Sequence, residues 1–331
     1  MNWLLQGFGR RPLACVALNL APRRSPYGGG NQFVAQLSRA LRRLGYAVRH
    51  DLHRAVDVVL IVEARDELAA FGVAEIARWR ERRPQGVIVH RVNECDKRKG
   101  TSTMDVALQR ANALAEHTVF LSTWLRDYHA ERWFDGARPS SVVRSGADPR
   151  AFHPIGTGPP SPHEPFRIAT HHWSDHPLKG FAVYAQIDAA IAEGRLQGFE
   201  LSVIGRWPQD MVWRAARPQA PLAGGRLGDA LRRAHAYVTA SLWEPGGMHV
   251  AEALQCGLPV AYHQHGGGLV EQAAHAGVPF TDDVVSALLA LRRDHTALRA
   301  AALRHAPSGE LMCLEYVRLF ERLLAERPAR A

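Results

Sequence analysis

The sequence predicts an α/β protein of two similar domains, each a parallel sheet wound with helices, and three observations carry that prediction. Short apolar runs alternate with stretches of helical periodicity through the first third of the chain. A stretch rich in Pro and Gly, 154–162, then breaks the pattern, and beyond it the same alternation resumes. Such alternation argues for crossover units and hence for parallel strands. The 331 residues suffice for two domains of roughly one to two hundred residues each.

The elements follow in order. Ala14-Cys15-Val16-Ala17-Leu18 reads as a first strand, and Phe33, Val34, Leu37, Leu41 and Leu44 recur at helical spacing. Gly45 stands where that helix would stop. Strands are expected across 56–62, 87–89, 118–121 and 141–143, with a helix from about Asp105 to Ala115. At 154–162 no core element can continue, because Pro lacks the N–H donor and Gly disfavours order. Beyond this linker, strands are expected at 166–169, 199–204 and 237–240, and helices near 179–193, 226–235, 247–256 and 284–293. Leu311, Leu314, Val317, Phe320, Leu323 and Leu324 form an amphipathic final helix. The expected units are 1–155, 163–310 and a C-terminal helix 311–326.

Composition narrows the functional classes. An apolar share of 47% supports filled cores, and no apolar run approaches the roughly 18–20 residues of a membrane span. The first ten residues, Met1 to Arg10, lack a basic leader and a small-residue cleavage site, so no secretory signal is expected. Cys15, Cys95, Cys256 and Cys313 are dispersed without Cys-Xaa-Xaa-Cys spacing, which fits reduced thiols in a cytoplasmic protein. The formal charge is +9, yet all but three of the 41 basic residues are Arg, the exceptions being Lys97, Lys99 and Lys179. That bias runs through the whole chain, so no nucleic-acid partner is expected. Peripheral attraction to an anionic membrane face stays open.

The most informative stretch runs from Ser241 to Val260. Tyr237-Val238-Thr239-Ala240 enters a turn as a strand, and Met248, Ala251 and Leu254 leave it at helical spacing. Gly246 and Gly247 let the backbone approach a ligand, and the first N–H groups of the helix point into the turn, where phosphate is the natural occupant. Glu244 and Glu252 stand eight positions apart around this turn. Ionised carboxylates only accept hydrogen bonds, so beside a phosphate they make sense facing hydroxyl groups, such as those of ribose and hexose diols. The plainer alternative is a solvated helix start with surface Glu residues.

This stretch resembles the Glu, seven residues, Glu signature of family 4 retaining glycosyltransferases. The likeness continues in Cys256-Gly257-Leu258-Pro259-Val260 and Gly267-Gly268-Leu269-Val270-Glu271, and upstream in Ser145-Gly146-Ala147-Asp148 with Phe152-His153-Pro154. The resemblance implies the GT-B fold, two Rossmann-like domains whose parallel sheets face each other across a cleft. It implies a nucleoside diphosphate sugar as donor and co-substrate, no other cofactor, and a carbohydrate or lipid-linked acceptor. Glu244 would contact the transferred sugar and Glu252 the ribose, with Met248 and His249 at the helix start beside Gly246 and Gly247. The last helix would pack back across the first domain; on the residues alone, it could equally cap the second.

Other candidates follow from the same likeness. Gly28, Gly29 and Gly30, in Ser25-Pro26-Tyr27-Gly28-Gly29-Gly30, lie between the first strand and first helix and match the family's Gly-Gly loop, where backbone N–H groups meet an anion. Lys179 would face the leaving diphosphate. Family members pair that Lys with an Arg a few residues earlier, but 171–178 contains none; a His, or Arg206 in Ile204-Gly205-Arg206, would supply the second cation, or the grip is weaker. His90, at a strand end, is the best match to a His that touches the sugar, and the loop 96–101 is expected to face the acceptor. His171 and His172 are adjacent on an extended segment and point to opposite sides, and no Asp-Xaa-Asp occurs, so no metal is expected. A GT-B nucleotide-sugar 2-epimerase and a non-catalytic binding module for nucleotide sugars or polyanions are the alternatives.

Overall fold

The computed structural model describes residues 12–23 and 28–327; Met1 to Arg10 and Ser25 to Tyr27 lie outside the described residues. Six strands, β1 (Cys15–Leu18), β2 (Ala47–Arg49), β3 (Val58–Ile61), β4 (Val87–Val92), β5 (His117–Phe120) and β6 (Ser140–Val142), form an all-parallel sheet in the order β2-β1-β3-β4-β5-β6. Its helices are α1 (Gly29–Arg43), α2 (Val73–Arg82), α3 (Asp96–Lys99), α4 (Met104–Asn112) and α5 (Thr123–Ala130). A second parallel sheet runs β12-β11-β10-β7-β8-β9, from β7 (Phe166–His172), β8 (Phe199–Gly205), β9 (Arg217–Gln219), β10 (Ala236–Thr239), β11 (Val260–His263) and β12 (Gly277–Phe280). It carries α6 (Phe181–Ala192), α7 (Gly224–Arg232), α8 (Met248–Gln255), α9 (Val270–Ala273), α10 (Val284–Arg293) and α11 (His295–His305), and α12 (Gly309–Ala325) follows.

Both faces of each sheet are covered, so the central strands are mostly apolar and sort their side chains by parity. Val16, Leu18, Val58, Leu60, Val87 and Val89 join one core of the first domain, while Ala17, Val59, Ile61, Ile88 and Val92 join the other. In the second sheet Phe166, Ile168, Leu201, Val203 and Val238 take one side, and Ala169, Ile204 and Tyr237 the other. Strand order reverses between β1 and β3 and between β7 and β10. The crevice of an open α/β sheet lies outside the carboxyl ends of its strands at such points.

Parity also corrects one sequence expectation. His90 lies within β4, on the face of Ile88 and Val92, and is fully buried. Its Nδ1 meets the Asn112 amide at 3.1 Å, and its Nε2 has no hydrogen-bond partner. The neighbour Arg91 turns the other way, stacking its guanidinium 4.0 Å from the centre of the Phe33 ring. His90 is therefore held inside the first domain, and burial lowers its pKa to about 3.

The final helix closes the first domain. Met312, Tyr316, Val317, Phe320 and Leu323 of α12 share a core with Phe33, Val34 and Leu37 of α1, and the rings of Phe33 and Tyr316 lie 5.0 Å apart. The chain reaches this position through the backbone bonds Ala147 N–H to Pro307 O and Gly309 N–H to Ala147 O. Among the described residues no helix is long and apolar enough to cross a membrane. All four cysteines are buried free thiols.

Phe320→Ala is expected to destabilise the protein by about 3–5 kcal/mol, the cost of a large cavity in a closed core, read as the loss in urea-unfolding free energy. His90 binds its proton only in the unfolded chain over the interval between its usual pKa and about 3. Its contribution is complete above roughly pH 6.5 and falls as pH drops toward 3, by about 1.4 kcal/mol per pH unit. Urea midpoints of His90→Asn should therefore fall less steeply than wild type between pH 7 and pH 5.

Candidate active site

The carboxyl ends of the two sheets meet in a cleft of about 270 Å3. The first domain contributes Gly28, Gly29 and Gly30 at the start of α1, Arg91 near the end of β4, Asn93 and Glu94 after it, and Arg98 and Lys99 of α3. The second contributes His171 and His172 at the end of β7, Trp173, Ser174 and His176 after it, Lys179, and Glu244 to His249 with Glu252 after β10. The starts of α1 and α8 confront one another, since a Cβ on Gly29 would sit 3.3 Å from Met248 Cβ. Two helix N-termini with no acidic residue in their first turns thus face one space, where their partial positive charge favours anions.

The turn between β10 and α8 is wedged against the first domain. Gly246 approaches so closely that an added Cβ would lie 2.7 Å from Leu121 Cβ, and Gly247 adopts φ +50°, the left-handed conformation that glycine takes without strain. Ser122 Oγ donates to Pro245 O at 2.7 Å, and Gln272 Nε2 donates to Gly246 O at 3.1 Å and Ser145 O at 3.2 Å. The loop 266–268 pairs with the Glu244 backbone in both directions, through Glu244 N–H to Gly266 O and Gly268 N–H to Glu244 O, each 2.8 Å. Glu271 then accepts from Trp124 N–H at 2.8 Å and from Arg144 at 3.1 Å. The Gly-Gly-Xaa-Xaa-Glu stretch is thus a clamp on the first domain and a support for the turn.

The two acidic side chains have different surroundings. Glu252 is 1% exposed, and its Oε2 lies 2.8 Å from His171 Nε2, whose Nδ1 lies 3.2 Å from the Tyr237 hydroxyl. Its other oxygen, Oε1, is buried without a partner. An unsatisfied buried acceptor is costly, and here it belongs to a residue lining the cleft. Glu244 Oε1 accepts from Lys179 Nζ at 2.6 Å and from Arg98 Nη2 at 2.9 Å. Burial pushes the Glu244 carboxyl up, but the Lys179 ammonium and the Arg98 guanidinium together outweigh it and hold the group well below the usual carboxylate range. His249 lines the same cleft with Nε2 3.0 Å from Thr239 Oγ1, and burial lowers its pKa to about 3, so it is neutral at physiological pH.

Of the sequence candidates, Gly28, Gly29, Gly30, Lys179, Glu244, Gly246, Gly247, Met248, His249 and Glu252 come together here. His90 does not, for the reason of strand parity. Arg206 does not line the cleft either: it is exposed, and its Nη1 donates to Trp173 O at 2.7 Å, bracing the segment after β7. His171 and His172 do diverge, the first toward Glu252 and the second against Phe181 and Tyr184. Sequence reasoning missed Arg98, which reaches Glu244 across 146 positions; nothing local separates it from the many other arginines. A second hollow of about 380 Å3 adjoins the cleft, sharing Gly28, Gly29, Gly30, Asn93 and Glu94, with apolar walls from Leu20, Val62, Leu68, Met104 and Leu108.

Comparison with known proteins bears on this arrangement. Residues 223–291 match the profile of the family described as Glycosyl transferases group 1, a segment that contains both Glu residues and the turn between them. No curated protein sequence matches the chain. Among solved structures, sucrose-phosphate synthase from Thermosynechococcus elongatus is similar with a TM-score of 0.70 at 14% identity, over 94% of this chain and 99% of that one. Anabaena HepE in complex with UDP-glucose gives a TM-score of 0.68 at 12% identity over 93% and 99% of the two chains. AviGT4, a glycosyltransferase involved in avilamycin A biosynthesis, gives 0.58 at 20% identity over 94% and 98%. With its two parallel six-stranded sheets meeting at a cleft, the chain has the GT-B fold.

Proposed function

We propose that this protein is a glycosyltransferase that moves a hexose-type sugar from a nucleoside diphosphate sugar to a hydroxyl acceptor, with retention of configuration and without a metal. The observation that carries the reading is the buried, unpaired Oε1 of Glu252 in a cleft that also gathers Arg91, Arg98, Lys99 and Lys179. A ribose hydroxyl supplies the donor that this oxygen lacks. The match over 223–291 and the similarity to a structure holding UDP-glucose support the same donor class.

In this reading the diphosphate lies among Lys179 and the N–H groups that open α1 and α8. These are fixed before reaction, so they stabilise the charge that develops as the diphosphate leaves without reorganising. Glu244, held ionised by its cationic neighbours, accepts hydrogen bonds from the transferred sugar and does not act as an acid. The acceptor hydroxyl attacks the anomeric carbon on the face from which the diphosphate departs and gives its proton to the leaving diphosphate oxygen as the bond to that oxygen breaks. The adjoining hollow, with its apolar wall beside Glu94 and Asn93, is the seat for a carbohydrate or lipid-linked acceptor. The low-pKa His249 packs beside the donor as a neutral group. A cytoplasmic protein with a net charge of +9 would attach peripherally to an anionic membrane face.

A thermal-shift panel of nucleoside diphosphate sugars tests the donor. A ligand at about 100 times its dissociation constant adds roughly 2.7 kcal/mol to stability, so one member should raise the melting temperature clearly; a panel with no shift sinks the reading. Glu252→Ala should weaken binding of that donor about tenfold or more, the worth of a hydrogen bond to a charged group, as measured by calorimetry. Anomeric configuration of the product, read by NMR, tests retention. Consumption of the donor with no acceptor present would instead indicate an epimerase.

A further inference from the structure

Arg98 belongs to the first domain but serves the second. It sits on α3, in a loop ordered by Asp96, whose Oδ1 accepts from Thr101 Oγ1 at 2.6 Å and Met104 N–H at 2.8 Å and whose N–H donates to Asp105 Oδ1 at 2.9 Å. The neighbouring Lys97 and Lys99 are engaged elsewhere, Lys97 over the Trp243 ring at 4.8 Å and Lys99 with Glu94 at 3.0 Å. Arg98 reaches the Glu244 carboxylate in the strand-to-helix turn of the second domain. Its side chain is 8% exposed, it lines the cleft, and its Nη1 is buried with no hydrogen-bond partner.

The single oxygen Oε1 of Glu244 accepts from both Arg98 and Lys179. Two cations on one carboxylate oxygen, one of them with a spare donor, form a grip set for more negative charge than Glu244 supplies. The planar guanidinium fork matches a phosphate with two parallel donors, which a Lys ammonium does not. We propose that Arg98 is the second cation of the diphosphate grip, delivered from the opposite domain, and that Glu244 holds Arg98 and Lys179 in place until a diphosphate takes their remaining donors. This deepens the nucleotide-sugar reading and rests on it. Glu244 is then a positioning group for two cations as well as a sugar contact, and it competes with the phosphate for them. The diphosphate is then held from both domains at once.

Inorganic pyrophosphate is the probe, because it carries the proposed contact without base or sugar. Calorimetric titration of wild type, Arg98→Met, Glu244→Gln and the double variant separates the outcomes. Arg98→Met should bind pyrophosphate about tenfold or more weakly, the scale of one charge-assisted hydrogen bond. Glu244→Gln should bind it more tightly than wild type, and the double variant should lose that gain. Unchanged affinity in Arg98→Met, a weaker Glu244→Gln, or a wild type silent to pyrophosphate overturns the proposal. If circular dichroism shows Arg98→Met unfolded, Arg98→Lys decides: weaker binding sustains the role of the fork, and wild-type affinity overturns it. Failure here is distinct from failure of the nucleotide-sugar reading, which stands or falls on the donor panel and on Glu252→Ala.

Discussion

One carboxylate organises the meeting of the two domains. Glu244 is fixed by backbone pairing to the loop 266–268 on one side and draws Lys179 and Arg98 to a single oxygen on the other. A buried ion pair of this kind is a weak source of net stability, because desolvation of the charges offsets much of their attraction. Its value lies in geometry. Three charged groups from three separate elements are held within hydrogen-bonding distance at the cleft. The direct side-chain and backbone bonds around it, from Ser122, Gln272 and Glu271, keep the turn from moving relative to the first domain.

The glycines of the turn illustrate how one residue answers two demands. The sequence suggests that Gly246 and Gly247 clear space for a ligand. The structure adds that Gly246 clears space for Leu121 and that Gly247 supplies a left-handed cap to α8 while passing Leu269. Trp243, just ahead of Glu244, also takes a positive φ of 52°, a conformation that costs a bulky residue energy. Its N–H bonds His265 O at 3.0 Å, so the loop that supports Glu244 also holds the strained residue before it.

Features written locally were legible in the sequence. α1 announced itself through Phe33, Val34, Leu37 and Leu41, all buried on one stripe, and the β10–α8 turn through its glycines and the switch of periodicity. Elements without local pattern were not. β2 and β9 are three residues long and lie at sheet edges, too short for a period to show, and β9 carries Pro218, which an edge tolerates. α11 is rich in Ala and Arg and buries little. His90 was misplaced because its face depends on the parity of a strand whose end could not be fixed to one residue. Arg98 was unreadable because its significance is a pairing between domains, and no spacing rule spans that separation.

The return of α12 to the first domain has a consequence for biosynthesis. One of the two cores flanking the first sheet is completed by Met312, Tyr316, Phe320 and Leu323, which leave the ribosome after the entire second domain. Domains generally fold as units in order of emergence, yet this one must wait with the parts of α1 and β4 that α12 covers still exposed. The earliest-made half of the molecule is thus the last to be sealed, and the seal is a single helix that the nascent chain cannot yet provide.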